Sequence, residues 1–210
     1  MKTLLNIAAA AALTGLCAQP AVAQSIYGCT DLEGRHAFAS VEGDGGVFYR
    51  VDPDLRMFHP LSDETVDQLA RLSEALASLG TTLVYVPLPT KSLAMPDQLP
   101  QKARDFGFDA SVATTVYGDA IKRLREKGVA AADVRRALRA GVDEPLSFYQ
   151  TDYRLTSAGA RRAARAIADT MGLAPGFVDL PKGRFDTRST GMVAVPSDMR
   201  AALQRHCQRR

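Results

Sequence analysis

The ten residues 151–160 read Thr-Asp-Tyr-Arg-Leu-Thr-Ser-Ala-Gly-Ala, and they decide what fold and chemistry we expect of this chain. A short strand over residues 147–151 is predicted to deliver Asp152, and a threonine or serine shortly after it caps a helix rich in alanine and arginine. Functional side chains often lie where a strand ends and a helix begins, because the sheet fixes the backbone while the loop leaves the groups exposed. An Asp-x-His sequence in such a loop can orient an imidazole that activates a hydroxyl. Arg154 stands where that histidine would be.

The N-terminus has the organisation of an export signal. Lys2 supplies the positive charge, residues 4–16 form a short apolar run, and residues 21–23, Ala-Val-Ala, fit the small-x-small cleavage pattern. We therefore expect cleavage before Gln24 and a periplasmic location. The apolar run is too short to span a membrane, and no later segment is long enough. Cys17 leaves a lipoprotein signal as an alternative, although a leucine precedes it where a small residue would be expected.

Charge and length narrow the classes of function. The chain has 26 Lys and Arg against 23 Asp and Glu, a net charge of +3, which is too balanced to favour nucleic-acid binding. Arg161, Arg162 and Arg165 form a basic helix face that could meet an anionic polymer, although most such runs are simply solvated. Residues 24–210 are long enough for a single domain with its own hydrophobic core.

Two cysteines remain after signal removal, Cys29 and Cys207, near the two ends of the chain. An even pair in an oxidising compartment predicts a disulfide, with two free thiols as the alternative. His206 is adjacent to Cys207, but no second pair of ligands has the spacing of a zinc site. We expect neither a metal nor a cofactor.

Hydrophobic periodicity predicts alternating strands and helices. We expect a hairpin over residues 41–50, strands over 82–88 and 147–151, a strand or turn over 129–133, and helices over 63–79, 109–127, 134–140, 157–171 and 199–206. On the first helix, capped by Ser62, the apolar face is predicted to be formed by Leu69, Leu72, Leu76 and Leu79. Alternation of this kind predicts an α/β fold with a mostly parallel sheet flanked by helices, preceded by an N-terminal hairpin.

A second polar position follows the strand predicted over residues 82–88. The loop after it reads Pro-Leu-Pro-Thr-Lys and ends at Lys91. Because parallel strands open their carboxyl ends on the same sheet edge, we expect Lys91 to lie near Asp152 and Arg154. Lys91 and Arg154 are then candidates for binding an acidic polymer, Arg154 by a two-point contact with a carboxylate. The plainer alternatives are a surface role for Lys91 and an ion pair between Asp152 and Arg154.

Four motifs in this order carry a resemblance to a known family. They are a Val-Glu-Gly-x-x-Gly-Val-Phe hairpin, Val-x-Val-Pro-x-Pro-Thr-Lys at a strand end, a Tyr-Gly-Asp-Ala helix, and Thr-Asp-x-x-x-Thr-x-x-Gly-Ala. Over roughly residues 27–207 the chain resembles the SGNH-hydrolase-like domain of the alginate O-acetylation proteins, the AlgX/AlgJ family, and most of all its AlgX branch. The resemblance implies an SGNH-hydrolase-like fold and transfer of acetyl groups to an acidic, alginate-like exopolysaccharide in the periplasm. A disulfide between Cys29 and Cys207 also fits the AlgX-like domains.

The family motif is Thr-Asp-x-His-Trp-Thr, whose Asp and His belong to a Ser-His-Asp triad. By this resemblance Asp152 takes the position of the triad aspartate, while Arg154 replaces the histidine and Leu155 the tryptophan. The family's serine lies on a segment after the terminal cysteine, and we expect residues 24–210 to lack that segment. Neither remaining candidate, Ser189 or Ser197, has the matching sequence context.

Arginine cannot act as the base of such a triad, because its guanidinium stays protonated at any working pH. We do not expect His36, His59 or His206 to replace the missing imidazole. The chain is therefore expected to be linked to polysaccharide O-acetylation but catalytically impaired. The alternatives are a non-catalytic domain that binds an anionic polysaccharide or another exopolysaccharide acetylation or export protein, and a truncated remnant of a longer acetyltransferase.

Overall fold

The chain folds as a mixed α/β unit with small sheets and surrounding helices. The computed structural model describes residues 25, 27–29, 31–35, 38–57, 61–141, 143–174, 177–179, 181, 183, 186 and 191–207. Its strands are β1 (Ser40–Gly43), β2 (Val47–Arg50), β3 (Val84–Tyr85) and β4 (Ala130–Ala131). Its α-helices are α1 (Val51–Asp54), α2 (Asp63–Ser78), α3 (Lys91–Ala94), α4 (Ala110–Glu126), α5 (Arg135–Leu138), α6 (Ser157–Met171) and α7 (Asp198–Cys207). Short 3-10 turns cover Asp44–Gly46, Pro96–Gln98, Gln101–Phe106 and Phe177–Asp179.

The predicted hairpin is confirmed. β1 and β2 pair antiparallel, with Ser40 opposite Arg50 and Gly43 opposite Val47. Gly45 in the turn has a φ of 67°, a conformation that glycine adopts without steric strain. Val47, Phe48 and Tyr49 are all 0% exposed, so β2 lies inside the molecule rather than on its surface.

The parallel sheet is smaller than predicted. β3 and β4 pair parallel over two residues each, with Val84 opposite Ala130, so only the middle of the predicted strand 82–88 is regular. The prediction of a strand over residues 147–151 was wrong. Phe148 forms a single antiparallel bridge with Leu155, because the chain turns back on itself through Thr151 and Asp152. The expected parallel pairing of this segment with the strand near residue 84 is therefore absent.

Helix α2 begins where the sequence predicted, but its buried face matches the predicted leucines only in part: Leu69 packs against the buried cluster and Leu76 is half-buried. Ser62 caps it by accepting a hydrogen bond from the Thr65 N–H at 3.1 Å. The buried residues are Val66 and Ala70, whereas Leu72 is 48% exposed and Leu79 is 79% exposed. Helix α4 explains the difference, since Val66 and Ala70 pack into one cluster with its Ile121 and Leu124.

Helix α6 has the predicted bounds and packs tightly against the preceding turn. Thr156 caps it by accepting from the Gly159 N–H at 3.0 Å. A Cβ atom built on Gly159 would lie 2.1 Å from the Ser147 carbonyl oxygen, so a larger residue would push the helix away. The helix predicted over residues 134–140 is shorter, Arg135–Leu138, whereas the one predicted over 199–206 extends over Asp198–Cys207.

Helix α7 and the N-terminal segment close the fold together. Cys29 and Cys207 are joined as the cysteine count predicted, with their Cα atoms 4.8 Å apart. Next to the disulfide, Met199 and Leu203 pack with Phe48 of the hairpin in one apolar cluster. The two ends of the described chain are thus fixed against the strand that borders the candidate site.

Candidate functional site

Asp152 and Arg154 form a closed ion pair in the segment that we call the site loop, residues 147–156. Arg154 donates from Nε to both carboxylate oxygens of Asp152, at 3.0 and 3.1 Å, and from Nη2 to Oδ2 at 2.6 Å. The backbone N–H of Arg154 adds a hydrogen bond to Oδ1 at 2.9 Å. Asp152 is only 4% exposed. The guanidinium therefore occupies the side of the carboxylate that an orienting aspartate would turn toward an imidazole.

Electrostatics favour the charged form of both partners. Burial alone would raise the pKa of Asp152, but the side-chain and backbone hydrogen bonds from Arg154 outweigh it and lower the pKa to about 2. Hydrogen bonding to Asp152 raises the pKa of Arg154 above its already high usual value. Neither residue of the pair can therefore exchange a proton with a substrate near neutral pH.

This pairing predicts how stability depends on pH. The pKa of Asp152 is lower in the folded chain than its ordinary value of 3.8, so its stabilisation is complete above pH 4 and is lost as pH falls through 2. In urea denaturation, wild type should exceed Asp152→Asn by about 1 kcal/mol at pH 6, a small value because the half-exposed Arg154 is screened by solvent. The difference should vanish near pH 2, and a constant difference would contradict the ion pair. Asp97→Asn, at an exposed pair with Arg139, is the matched control.

One edge of Arg154 remains available to a ligand. Besides Asp152, Nη2 donates to the carbonyl oxygen of Pro196. Within the described part of the chain Nη1 makes no hydrogen bond, and the side chain of Arg154 is 44% exposed. A guanidinium has five N–H donors, so this geometry leaves the two on Nη1 directed away from Asp152. Such an edge can bind a carboxylate by charge-assisted hydrogen bonds.

Lys91 lies beneath the site loop rather than on the surface. Its side chain is 1% exposed, and Nζ donates to four backbone carbonyls: Phe48 at 2.9 Å, Tyr149 at 2.6 Å, Gln150 at 2.8 Å and Asp152 at 3.0 Å. The expected proximity to Asp152 is thus present, but the contact is with its backbone. This placement corrects the expectation of a lysine that touches a polymer from the surface: Lys91 reaches the site only through the loop that it holds.

The charge state of Lys91 depends on those carbonyls. Burial lowers the pKa of Lys91 to about 7, while the carboxylates of Asp54 and Asp152 act in the opposite direction. An uncharged amine would have only two N–H donors for four carbonyl oxygens, so the hydrogen bonds favour the ammonium. Lys91 therefore connects the hairpin to the site loop at a single buried point.

Further contacts fix the loop from its two sides. The Phe48 N–H donates to the Gln150 carbonyl at 2.9 Å, and the Gln150 side chain donates to the Gly45 carbonyl at 2.6 Å. The Arg50 guanidinium stacks on the Tyr153 ring, 4.5 Å from its centroid, and is itself held by the buried carboxylate of Asp54. A loop with this many non-local contacts presents Arg154 in one fixed position.

Ser197 is the site residue that sequence reasoning undervalued. Its hydroxyl donates to the Thr151 carbonyl at 2.9 Å and accepts from the Arg200 N–H at 3.1 Å, where it caps α7. The hydroxyl is therefore committed to structure, although it lies against the loop that carries Asp152. The Pro-Ser-Asp sequence at 196–198 is a recognisable helix start and was the only signal available.

The other candidate residues do not join this site. His206 lines a separate cavity with Leu32 and Arg35. His36, His59 and Ser189 lie outside the described residues. Within the described ranges no three His, Cys, Asp or Glu side chains are grouped so as to hold a metal ion, and no helix there is both long and apolar enough to cross a membrane.

Comparison with known proteins shows the family of this chain. A family model described as the SGNH hydrolase-like domain of the acetyltransferase AlgX matches residues 41–210. The alginate biosynthesis protein AlgX of Pseudomonas aeruginosa is 29% identical over 167 residues, which is 80% of this chain and 35% of that protein. AlgX of Azotobacter vinelandii is 31% identical over 144 residues, 68% of this chain and 29% of that protein.

A solved structure of Pseudomonas aeruginosa AlgX superposes with a TM-score of 0.71 at 27% identity, covering 81% of this chain and 41% of that one. The chain spans about a third of the length of the curated relatives that it matches. The resemblance seen in the four sequence motifs and the SGNH-hydrolase-like α/β fold class are both confirmed. This chain belongs to the AlgX family of SGNH hydrolase-like domains, within the alginate biosynthesis proteins.

Proposed function

We propose that this chain is a periplasmic protein of exopolysaccharide biosynthesis that binds an acidic, alginate-like polysaccharide and does not itself transfer acetyl groups. The observation that carries the proposal is the geometry of Arg154, which closes one side of Asp152 and leaves its Nη1 edge open. Membership of a family of alginate biosynthesis proteins indicates the class of polymer. Alginate-like polymers consist of uronates, which carry one carboxylate per sugar, and such a carboxylate can bind the open edge of Arg154.

The site lacks a group that could remove a proton from a serine hydroxyl. A serine hydroxyl becomes a useful nucleophile only when a neighbouring base removes its proton. At the position of that base stands a guanidinium, and Asp152 is already bound to it by three side-chain hydrogen bonds. Ser197, which contacts the loop that carries Asp152, donates its proton to a backbone carbonyl. No group in the described site is placed to activate a hydroxyl.

The side chain of Arg154 is already ordered for binding a carboxylate. Arg154 keeps its position without a ligand, because Asp152 and the Pro196 carbonyl fix Nε and Nη2. A side chain that is already ordered loses little conformational entropy when a ligand carboxylate arrives. In this proposal Lys91 acts as a positioning residue, since its ammonium holds the carbonyls on both sides of Thr151.

Location and domain organisation are part of the same proposal. Residues 1–23 are proposed to be a cleaved export signal, and residues 24–210 to form one SGNH-hydrolase-like domain. The joined Cys29 and Cys207 support an oxidising compartment. N-terminal sequencing of the chain from a periplasmic extract should give a start at Gln24, and a chain retained with residue 1 in the cytoplasm would refute the location.

Binding should depend on Arg154. Removing it deletes the Nη1 edge beside Asp152, so Arg154→Ala should weaken the binding of oligomannuronate about tenfold at low salt. Affinity of the wild type should fall as salt rises from 20 to about 150 mM, because exposed charges are screened within roughly 8 Å there. Isothermal titration calorimetry measures both effects.

The control variants separate Arg154 from general charge. Arg161→Ala removes an exposed arginine of α6 and should change the affinity by less than about twofold. The double variant Asp152→Asn, Arg154→Ala keeps the pair at zero net charge and should lose binding as Arg154→Ala does. Equal losses in Arg154→Ala and Arg161→Ala would show non-specific attraction. No binding at low salt would favour the alternative, a domain that binds a protein of the acetylation or export machinery.

A further inference from the structure

A small cavity opens beside the site loop, on the side of α7. It has a volume of about 200 Å³ and is lined by Tyr27, Thr151, Arg200, Leu203, Gln204 and Cys207. This volume is close to that of one sugar ring, and the cavity is distinct from the Arg154 edge described above. Thr151 belongs to both regions, since it lines the cavity and directly precedes Asp152 in the chain.

The cavity is held in shape from three directions. The disulfide fixes Cys207 at one end to Cys29. Ser25 fixes the turn that carries Tyr27, because its Oγ accepts from the N–H of Tyr27 at 3.2 Å and from the N–H of Cys29 at 2.9 Å. Ser197 fixes the start of α7 against Thr151. A pocket with such walls exists before any ligand binds, which lowers the entropic loss of binding.

The lining has the mixture of groups that recognises an acidic sugar. Tyr27 is 45% exposed, and its ring leans on Phe48 with centroids 5.4 Å apart, which leaves an aromatic surface for the apolar face of a pyranose. The side chain of Arg200 is exposed and makes no hydrogen bond or ion pair within the described residues. Gln204 supplies an amide that can donate to or accept from a hydroxyl.

Two backbone contacts connect this cavity to Arg154. Pro196 accepts from Arg154 through its carbonyl, and the next residue, Ser197, donates to Thr151 and accepts from the N–H of Arg200. The segment 196–200 therefore contacts the Arg154 side chain at Pro196 and carries Arg200 four residues later, with Ser197 between them bonded to Thr151. A polymer with one carboxylate per sugar would present successive charges to two such arginines.

We propose that this cavity is a second saccharide subsite, which takes a uronate residue neighbouring the one bound at Arg154. In it Tyr27 packs against the sugar ring, Arg200 binds the carboxylate, and Gln204 contacts a ring hydroxyl. The subsite rests on the proposed function in that both positions belong to one polymer. It adds a length requirement, since only a ligand of several residues can occupy both positions.

Ligand length and three variants test the subsite. Mannuronate monomer and mannuronate tetramer are titrated into wild type, Tyr27→Ala, Arg200→Gln and Arg154→Ala by calorimetry at low salt. Arg200→Gln should weaken the binding of the tetramer about tenfold, and Tyr27→Ala should weaken it about fivefold. Neither substitution should change the binding of the monomer at Arg154. Arg205→Gln, an exposed arginine elsewhere on α7, is the control and should leave both ligands unaffected. Thermal unfolding checks that the exposed substitutions leave the fold intact.

Each pattern of results decides between the two proposals. If Arg154→Ala weakens the tetramer while Tyr27→Ala and Arg200→Gln match Arg205→Gln, the subsite is refuted and the proposed function stands. If Tyr27→Ala and Arg200→Gln weaken the tetramer but Arg154→Ala does not, the cavity is a saccharide site and the role of Arg154 is refuted. If no variant changes the affinity of the tetramer, both proposals fail.

Discussion

Replacement of Cys29 and Cys207 by serine in the same chain should lower the free energy of unfolding by about 4 kcal/mol. The two cysteines are 178 positions apart, so the bond closes almost the entire described chain into one loop. In the chain-entropy account, a cross-link over so long a loop removes much of the freedom of the unfolded state. The loss should also loosen α7, whose residues Met199 and Leu203 pack beside the disulfide.

Urea denaturation of the double serine variant measures the effect, and reduction of wild type with dithiothreitol provides the matched control. Both should give the same lower stability, because each removes the same bond. Thiol titration of unreduced wild type should find neither cysteine free. Two titratable thiols, or a stability that reduction leaves unchanged, would contradict the disulfide.

Lys91→Met should lower the free energy of unfolding by about 3 kcal/mol. Methionine fills nearly the same volume but donates no hydrogen bond, so four carbonyl oxygens lose their shared donor in a place that water cannot easily reach. The substitution removes the hydrogen bonds through which Lys91 joins Phe48 in the hairpin to the site loop. We therefore expect hydrogen exchange to quicken selectively in residues 149–154.

Lys122→Met is the matched control, because Lys122 is 72% exposed and its pair with Glu126, at 3.7 Å, is an ordinary surface contact. It should change the stability by less than about 0.5 kcal/mol. If Lys91→Met is no more destabilising than Lys122→Met, the ammonium does not hold the loop. If stability falls but exchange in residues 149–154 is unchanged, Lys91 supports the core rather than the site.

Local signals were enough to predict most helices of this fold. Ser62 and Thr156 each precede a helix, and each accepts a hydrogen bond from an N–H of the first turn as expected of a capping residue. Asp109, predicted as the first residue of its helix, caps that helix in the same way. The hairpin likewise follows from its glycine-rich turn. These features depend on neighbours in sequence, so a single sequence reveals them.

Features that depend on distant contacts were harder to predict. Residues 147–151 have the composition of a strand, yet Lys91 and Phe48 bind the backbone of Tyr149 and Gln150 from other parts of the chain. The same non-local contacts bury Lys91, whose charge had indicated a surface position. Similarly, Val66 and Ala70 of α2 are buried because they pack with Ile121 and Leu124 of α4, which the leucine spacing did not indicate.

The candidate site was predictable in part. The proximity of Arg154 to Asp152 follows from a separation of two residues in the sequence. The approach of Pro196 and Ser197 was not visible, because more than forty residues separate them from the loop. This approach also creates the cavity that we assign to a second sugar residue.

The central claim is that Arg154 forms an ion pair with Asp152 where a catalytic histidine would otherwise bind. Hydrolysis of an acetyl ester tests this claim most directly. Purified chain, incubated with 4-nitrophenyl acetate and with acetylated oligomannuronate, should release acetate no faster than buffer. Arg154→His should not restore activity, because the Ser197 hydroxyl donates to the Thr151 carbonyl and caps α7. Robust turnover by wild type that Ser189→Ala or Ser197→Ala abolishes would contradict the account, since it would show that another base activates a serine.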